Sequence, residues 1–445
     1  MRRWIGTALC LGVAFHTGTA EANSGEVKAA DLRQEPSPLL MATLSAPRPV
    51  ARSAEVDAPA LTLAPQPTEA GSGAAGFADW IRDFYPRARA QGISQDTLDT
   101  AFRGVTYDPE VIRRDQNQSE FSKAIWEYLD SATSDLRVSN GTAALRQQEA
   151  VLRRIEKTYG VPKEIVVAVW GLESSYGSFR GKMDIIGSLA TLAYDGRRGA
   201  FFEEQLIAAL KILQAGDVDP RGMTGSWAGA MGHTQFMPTS YLDYAVDFSG
   251  DGKRDIWSDD PTDALASTAA YLKRFGWTTG QPWGVEVTLP QGFDYRLANR
   301  KIEKSPGDWA RLGVRGVDGR AVAEHGPASI LLPAGGKGAA FMIFGNFAVL
   351  ERYNTADAYV IGVGHLSDLL QGGARIKGDW PREDRALSFS ERKELQERLT
   401  RAGYNTQGVD GRIGPLTVDA VRAYQSAMGL MPDGYASLSL LQRLR

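Results

Sequence analysis

The chain has 445 residues, 43% of them hydrophobic and 23% charged, with a formal net charge of −3. That composition fits a globular protein of two or three domains and speaks against a broad basic surface for nucleic acid. A single cysteine, Cys10, excludes an intrachain disulfide, and four scattered histidines without a His-Glu-x-x-His pair leave carboxylates as the expected chemistry.

Arg2 and Arg3 precede an apolar stretch, Trp4 to Phe15, that is too short to span a bilayer. Ala20-Glu21-Ala22 offers a small-x-small cleavage site. Residues 1–22 therefore read as a signal peptide, with an uncleaved anchor as the alternative. Export to the periplasm is expected. Lipid attachment at Cys10 is not, because Leu9 rather than a small residue precedes it. No later segment is apolar enough to span a membrane, so no transmembrane span is expected in the mature chain.

Residues 23–75 are rich in Ala, Pro, Ser, Thr and Glu, with almost no aromatics. Such a segment cannot bury enough apolar surface to offset chain entropy, and a disordered linker is expected. Order should begin near Phe77. Apolar residues then recur at helical spacing in 121–133, 144–157, 163–173, 200–213 and 262–275. The stretch 283–333 is broken by Gly and Pro and contains the alternating Val285-Glu286-Val287-Thr288-Leu289, which predicts short strands and loops. Helix is predicted again over 341–371, starting at Phe341-Met342-Ile343-Phe344. The expected fold class is mainly α (α+β): a catalytic domain over 76–380 with a small β-containing insertion, then a small unit over 386–445. Two Asp-Gly turns, 410–411 and 433–434, punctuate that last unit, and its thin core suits a binding module rather than an enzyme.

The chemistry concentrates at one carboxylate. Val161-Pro162-Lys163-Glu164 starts a helix, and Ile165 to Leu172 is apolar all round, as in a buried helix. It runs into Glu173. A buried carboxyl has a raised pKa, which is what a general acid near neutral pH needs. By pattern alone, a Glu that emerges into solvent as the helix ends is an equal reading.

"VWGLESSYG" at 169–177 resembles the catalytic motif of the lytic murein transglycosylase B family, glycoside hydrolases with a lysozyme-like fold. "YDGRRGAFFEEQL" at 194–206, "GSWAGAMGHTQFMPTSYLDYAVDFSGDG" at 225–252 and "RYNTADAYV" at 352–360 extend the resemblance over roughly 77–375. It implies cleavage of peptidoglycan glycan strands with one carboxylate, Glu173, as acid and then base, and with no cofactor for catalysis. It further implies that Ser226 and Gln235 line the cleft and that Tyr271, Tyr353, Asn354 and Tyr359 form its wall. Tyr128 matches a further cleft tyrosine. Arg197 and Arg198 match a pair that meets the peptide stem or lactyl carboxylate, although as residues they equally read as a solvated face.

Asp247-Phe248-Ser249-Gly250-Asp251-Gly252 opens like an EF-hand loop, with oxygen ligands at positions 1, 3 and 5 and glycine at 6, but position 12 is Ser258. The family's loop is longer and its last carboxylate comes later, which implies Asp263. One structural Ca2+ is then expected on Asp247, Ser249, Asp251, the Lys253 carbonyl and Asp263. An Asp-Gly turn that holds no ion is the alternative. The C-terminal unit resembles the peptidoglycan-binding domain type 1, a three-helix module, through Leu395-Gln396, Gly403-Tyr404, Val409-Asp410-Gly411, Gly414-Pro415, Tyr424-Gln425 and Asp433-Gly434. The expected partners are glycan strands, with cell-wall synthesis enzymes as further candidates and no nucleic acid. A water-using muramidase on the same fold and a wall-binding scaffold with a decayed catalytic domain are the competing readings.

Overall fold

The computed structural model describes residues 74–117 and 123–445. The signal segment, Cys10 and nearly all of the expected linker lie outside the described residues, as do residues 118–122, the last two of which begin the predicted helix at 121–133. Among the described residues, no helix is long and apolar enough to cross a membrane.

The fold is mainly helical. Its first part contains α1 (Phe77–Ala90), α2 (Pro109–Asn117), α3 (Ile125–Ala132), α4 (Asp135–Gln147), α5 (Glu149–Tyr159) and α6 (Lys163–Ser174). The predicted helix 144–157 is therefore two helices that meet at Gln148, whose φ of −102° and ψ of 15° end one and begin the other. After α6 come β1 (Met183–Asp184), α7 (Ile185–Asp195), α8 (Gly199–Ala215), β2 (Thr224–Gly225) and α9 (Thr262–Arg274). Strands β1 and β2 pair antiparallel.

Helix α6 explains its own apolar sequence. It packs against α4, α5, α9 and α11 (Asp357–Leu370). Ile165 to Gly171 are all buried, so no face of this helix remains for water. Its burial places whatever ends the helix deep in the molecule.

The stretch 283–333 forms short strands, as its alternation predicts, but also a short helix, Pro306–Arg311, that the pattern does not predict. β3 (Gly284–Thr288), β4 (Arg315–Gly316), β5 (Ser329–Leu331) and β6 (Ala340–Ile343) make an antiparallel sheet in the order β4-β3-β6-β5. Register pairs Glu286 with Phe341 and Ile330 with Met342. This corrects the expectation of helix from Phe341. All four residues of β6 are buried between β3 and β5, and an interior strand reads as a continuous apolar run that periodicity cannot separate from a buried helix. Helix resumes only at α10 (Gly345–Tyr353), and Asn354 separates it from α11.

The C-terminal module has three helices, α12 (Phe389–Arg401), α13 (Pro415–Ala427) and α14 (Leu438–Leu444), around a small core of Leu395, Leu399, Val421, Tyr424, Leu440 and Leu441. Its two Asp-Gly turns are built alike. Gln396 donates to Asp410 and accepts from Gly411 N–H; Gln425 does the same with Asp433 and Gly434. The second turn also touches the part of the chain before this module. Asp433 Oδ2 accepts from Gly336 N–H at 2.9 Å, and Tyr435 packs with Trp126, Ala334 and Trp380. A Cβ on Gly335 would fall 2.6 Å from Asp433 Oδ2, so the close approach requires glycine there.

Candidate active site

Glu173 lies in the last turn of α6 and is 2% exposed. The chain then reverses through Ser175 (φ 50°), Tyr176 (φ 60°) and Gly177 (φ 82°). Two consecutive non-glycine residues in the left-handed region are strained, and the surroundings hold them there. Ser174 Oγ donates to the His233 carbonyl at 2.5 Å and accepts from Gly177 N–H at 2.9 Å. Tyr176 OH donates to the Arg137 carbonyl at 2.8 Å. A Cβ on Gly171 would lie 2.6 Å from the Tyr176 ring, which accounts for the glycine inside the "VWGLESSYG" block.

Three tyrosines surround the carboxyl. Tyr359 OH, from α11, donates to Glu173 Oε1 at 2.6 Å. The Tyr353 ring stacks on Tyr359 at 6.4 Å and 7°, and its hydroxyl donates to the Thr234 carbonyl at 2.6 Å. Burial raises the phenols of Tyr128, Tyr353 and Tyr359, and the nearby Glu173 carboxylate raises them further. Glu173 Oε2 is buried and has no hydrogen-bond partner among the described residues. Burial pushes the Glu173 carboxyl up to about 8 against the pull of the Tyr359 bond. At neutral pH the group is therefore mostly a protonated acid, with an oxygen that no acceptor among the described residues occupies.

Of the other expected cleft residues, Ser226, Gln235 and Asn354 sit on loops and Tyr271 on α9. Ser226 Oγ accepts from Ala230 N–H at 3.0 Å, and the Ser226 N–H donates to the Ala230 carbonyl. Gln235 has φ 55°, and its amide nitrogen donates to the carbonyls of Arg180 and Gly232, which fixes the amide's orientation. Tyr271 packs edge-on against Tyr353 at 5.2 Å and donates to the Arg352 carbonyl. Asn354 is buried and accepts from Ala356 N–H through Oδ1. Tyr128, Tyr353 and Tyr359 thus gather at Glu173, with Tyr271 behind them. Arg197 and Arg198 are not in that cluster; both converge on Asp115.

His233 joins the site without any signal in the sequence. It is 3% exposed, accepts from Trp170 Nε1 at Nδ1 (3.1 Å), and donates from Nε2 to the Ser258 carbonyl (2.7 Å). These partners select the neutral tautomer, and burial holds the imidazole below its usual pKa. His233 pins α6 to the Gln235 loop and to the segment before α9. Nothing in its spacing could have shown this, because Trp170 and Ser258 are far away in sequence.

Asp247, Asp251 and Asp263 each present a carboxylate oxygen within 4.8 Å of the others. Asp263 is buried and accepts from the N–H groups of Phe248, Ser249 and Asp255. Ser249 Oγ lies 3.2 Å from Asp247 Oδ1, and Lys253 N–H donates to Asp251. Three converging carboxylates suit a hard divalent cation such as calcium.

A transglycosylase SLT domain profile matches residues 76–368, two thirds of the chain. The chain belongs to the transglycosylase SLT domain family. A peptidoglycan-binding domain profile matches residues 389–444. The membrane-bound lytic murein transglycosylase B of Escherichia coli is 37% identical over 236 residues, which are 52% of this chain and 62% of the relative. The chain thus spans less than two thirds of that curated relative. Among solved structures, SltB3 from Pseudomonas aeruginosa in complex with NAG-anhNAM-pentapeptide is 51% identical, with a TM-score of 0.81 over 83% of this chain and 99% of that one. The Escherichia coli lytic transglycosylase Slt35 in complex with calcium is 32% identical, with a TM-score of 0.56 over 66% of this chain and 92% of that one. The SLT fold of this family is lysozyme-like, as the sequence blocks imply.

Proposed function

We propose that this family member is a lytic transglycosylase that cleaves the β-1,4 bond between N-acetylmuramic acid and N-acetylglucosamine in peptidoglycan. The observation that carries the reading is Glu173: buried, bonded on one oxygen to Tyr359, and protonated near neutral pH. Glu173 protonates the bridging oxygen, and the bond from that oxygen to muramic C1 breaks. The sugar's 2-acetamido group stabilises the cation that develops at C1. Glu173, now a carboxylate, takes the proton from the sugar's 6-hydroxyl, and that oxygen closes onto C1. The product is a 1,6-anhydromuramic end, and no water is consumed. Tyr359 supports both halves, since its hydroxyl stabilises the carboxylate that forms between them.

Ser226, Gln235, Asn354 and the tyrosines line the cleft in this reading, and Arg197 with Arg198 meet an anionic part of the substrate. The module over 386–445 binds the wall and raises the enzyme's effective concentration on an insoluble polymer. A periplasmic location after signal-peptide cleavage fits that substrate. Digestion of purified sacculi followed by mass spectrometry should give 1,6-anhydromuropeptides, whereas reducing ends alone would replace this reading with hydrolysis.

We also propose that Asp247, Ser249, Asp251, the Lys253 carbonyl and Asp263 hold one structural calcium. An ion bound to the folded state alone adds about 2.7 kcal/mol of stability at a hundredfold excess over its dissociation constant. Calcium should therefore raise the melting temperature of the chain and leave that of Asp251→Asn nearly unchanged. Equal responses in the two proteins would refute the site.

A further inference from the structure

Arg300 lies in the β-containing insertion, between β3 and β4. The insertion has a small core of its own, in which Phe293, Ala298 and Trp309 are buried and Leu297 and Ile302 partly buried. The C-terminal module holds the same strip from its side. The Ala298 carbonyl accepts from Arg422 Nη2 of α13, and Lys301 Nζ lies 3.7 Å from Asp419 Oδ2. Arg300 instead reaches the helical body. Its Nη1 donates to Glu351 in the last turn of α10, and its Nη2 donates to Asp357 in the first turn of α11. The guanidinium also lies over the Phe347 ring, 5.0 Å from its centroid.

The two carboxylates bracket the turn that joins α10 to α11. Tyr353 ends α10 and Tyr359 lies in the first turn of α11, and their rings stack at 6.4 Å. Tyr359 OH in turn donates to Glu173 Oε1 at 2.6 Å. Burial raises the Glu351 carboxyl, Arg300 pulls it down, and the nearby charge of Asp357 raises it again. Without a cation between them, the two carboxylates would push the helix ends apart. Glu351 also stands at the negative end of the α10 dipole, where an anion is unfavourable and an arginine favourable. A planar guanidinium that donates to both groups fixes their separation, because its fork is rigid.

We propose that Arg300 is a positioning residue for glycan cleavage: from the insertion it clamps the turn between α10 and α11 and so keeps Tyr359 on Glu173. This rests on the wall-cleaving reading above. Arg300 touches neither the substrate nor Glu173. It acts through Tyr359, and it gives the insertion a part in the reaction.

The titration of Glu173 can be followed by NMR in the full chain with 13C-labelled glutamate carboxyls, its signal being the one lost in Glu173→Gln. The parent should titrate at about 8. The Tyr359 bond holds that value down, so Tyr359→Phe should raise it by about one pH unit. Arg300→Met should raise it in the same direction, by about half a pH unit or more, and slow the release of 1,6-anhydromuropeptides about tenfold. In the Tyr359→Phe background, Arg300→Met should raise it no further, because the two substitutions break one link. A shift that persists in that background would come from the lost charge of Arg300 acting at a distance, and it would overturn the proposal. So would an unchanged titration in Arg300→Met. Should Arg300→Met fail to fold, Arg300→Lys keeps the charge and loses the fork; the Glu173 titration should still rise, and an unchanged one overturns this proposal alone. Sacculi digested by the parent without 1,6-anhydro ends would overturn the wall-cleaving reading and this proposal with it.

Discussion

Glu173→Gln should reduce the release of soluble fragments from sacculi by about 1,000-fold or more, because it removes the group that gives and then retakes the proton. Retention on sacculi should persist, since the C-terminal module is untouched. The same substitution should change stability in a pH-dependent way. The folded carboxyl titrates at about 8, well above its ordinary 4.5, so the fold penalises its ionised form. The penalty is absent below 4.5, grows by about 1.4 kcal/mol per pH unit between 4.5 and 8, and is complete above 8. Glutamine carries no such penalty. The variant should therefore match the parent at pH 4 and melt at a higher temperature at pH 9. Activity of the parent should fall as pH rises through about 8, when the acid loses its proton. Full activity in the variant, or a parent activity that rises through pH 8 to 9, would refute the assignment.

The second large effect is expected at Gly181. Its φ is +87°, and a Cβ there would lie 2.1 Å from the carbonyl carbon and oxygen of Gly225 and 2.7 Å from Ser226 N. No side-chain rotation relieves a clash between backbones. Alanine must therefore push apart the loop after Glu173 and the loop that carries Ser226. Gly280 provides the control: its φ is +80°, but nothing lies within 4 Å of a Cβ there. Gly280→Ala should cost only the backbone strain, about 1 kcal/mol. Gly181→Ala should cost about 3 kcal/mol or more and lower the melting temperature by roughly 5–10 °C, with a loss of activity larger than unfolding accounts for. Equal melting temperatures for the two variants would show that the loops part easily.

Much of the helical frame was legible because a buried helix advertises itself. The run from Ile165 to Leu172 offers no polar face, and the structure surrounds it on every side. The same property misled at Phe341–Phe344, where an interior strand has the same all-apolar signature. What places Glu173 could not be read. Its pKa depends on burial by distant segments and on a phenol 186 positions away. The role of His233 leaves no local signal, because its partners, Trp170 and Ser258, come from other parts of the chain. The pairing of two arginines with Asp115 was hidden for the same reason: a salt bridge across 82 and 83 positions leaves no local pattern. The Asp-Gly turns of the module were visible, but not that Asp433 also reaches Gly336.

The central claim is that the sugar's own hydroxyl, not water, attacks C1. Digestion of sacculi in water enriched in 18O tests it most directly. Transglycosylation forms its new bond from oxygen already in the sugar, so the released muramic ends should be 1,6-anhydro and carry no label. Labelled oxygen at C1 of the released muramic residues would contradict the account and make Glu173 the acid of a hydrolase.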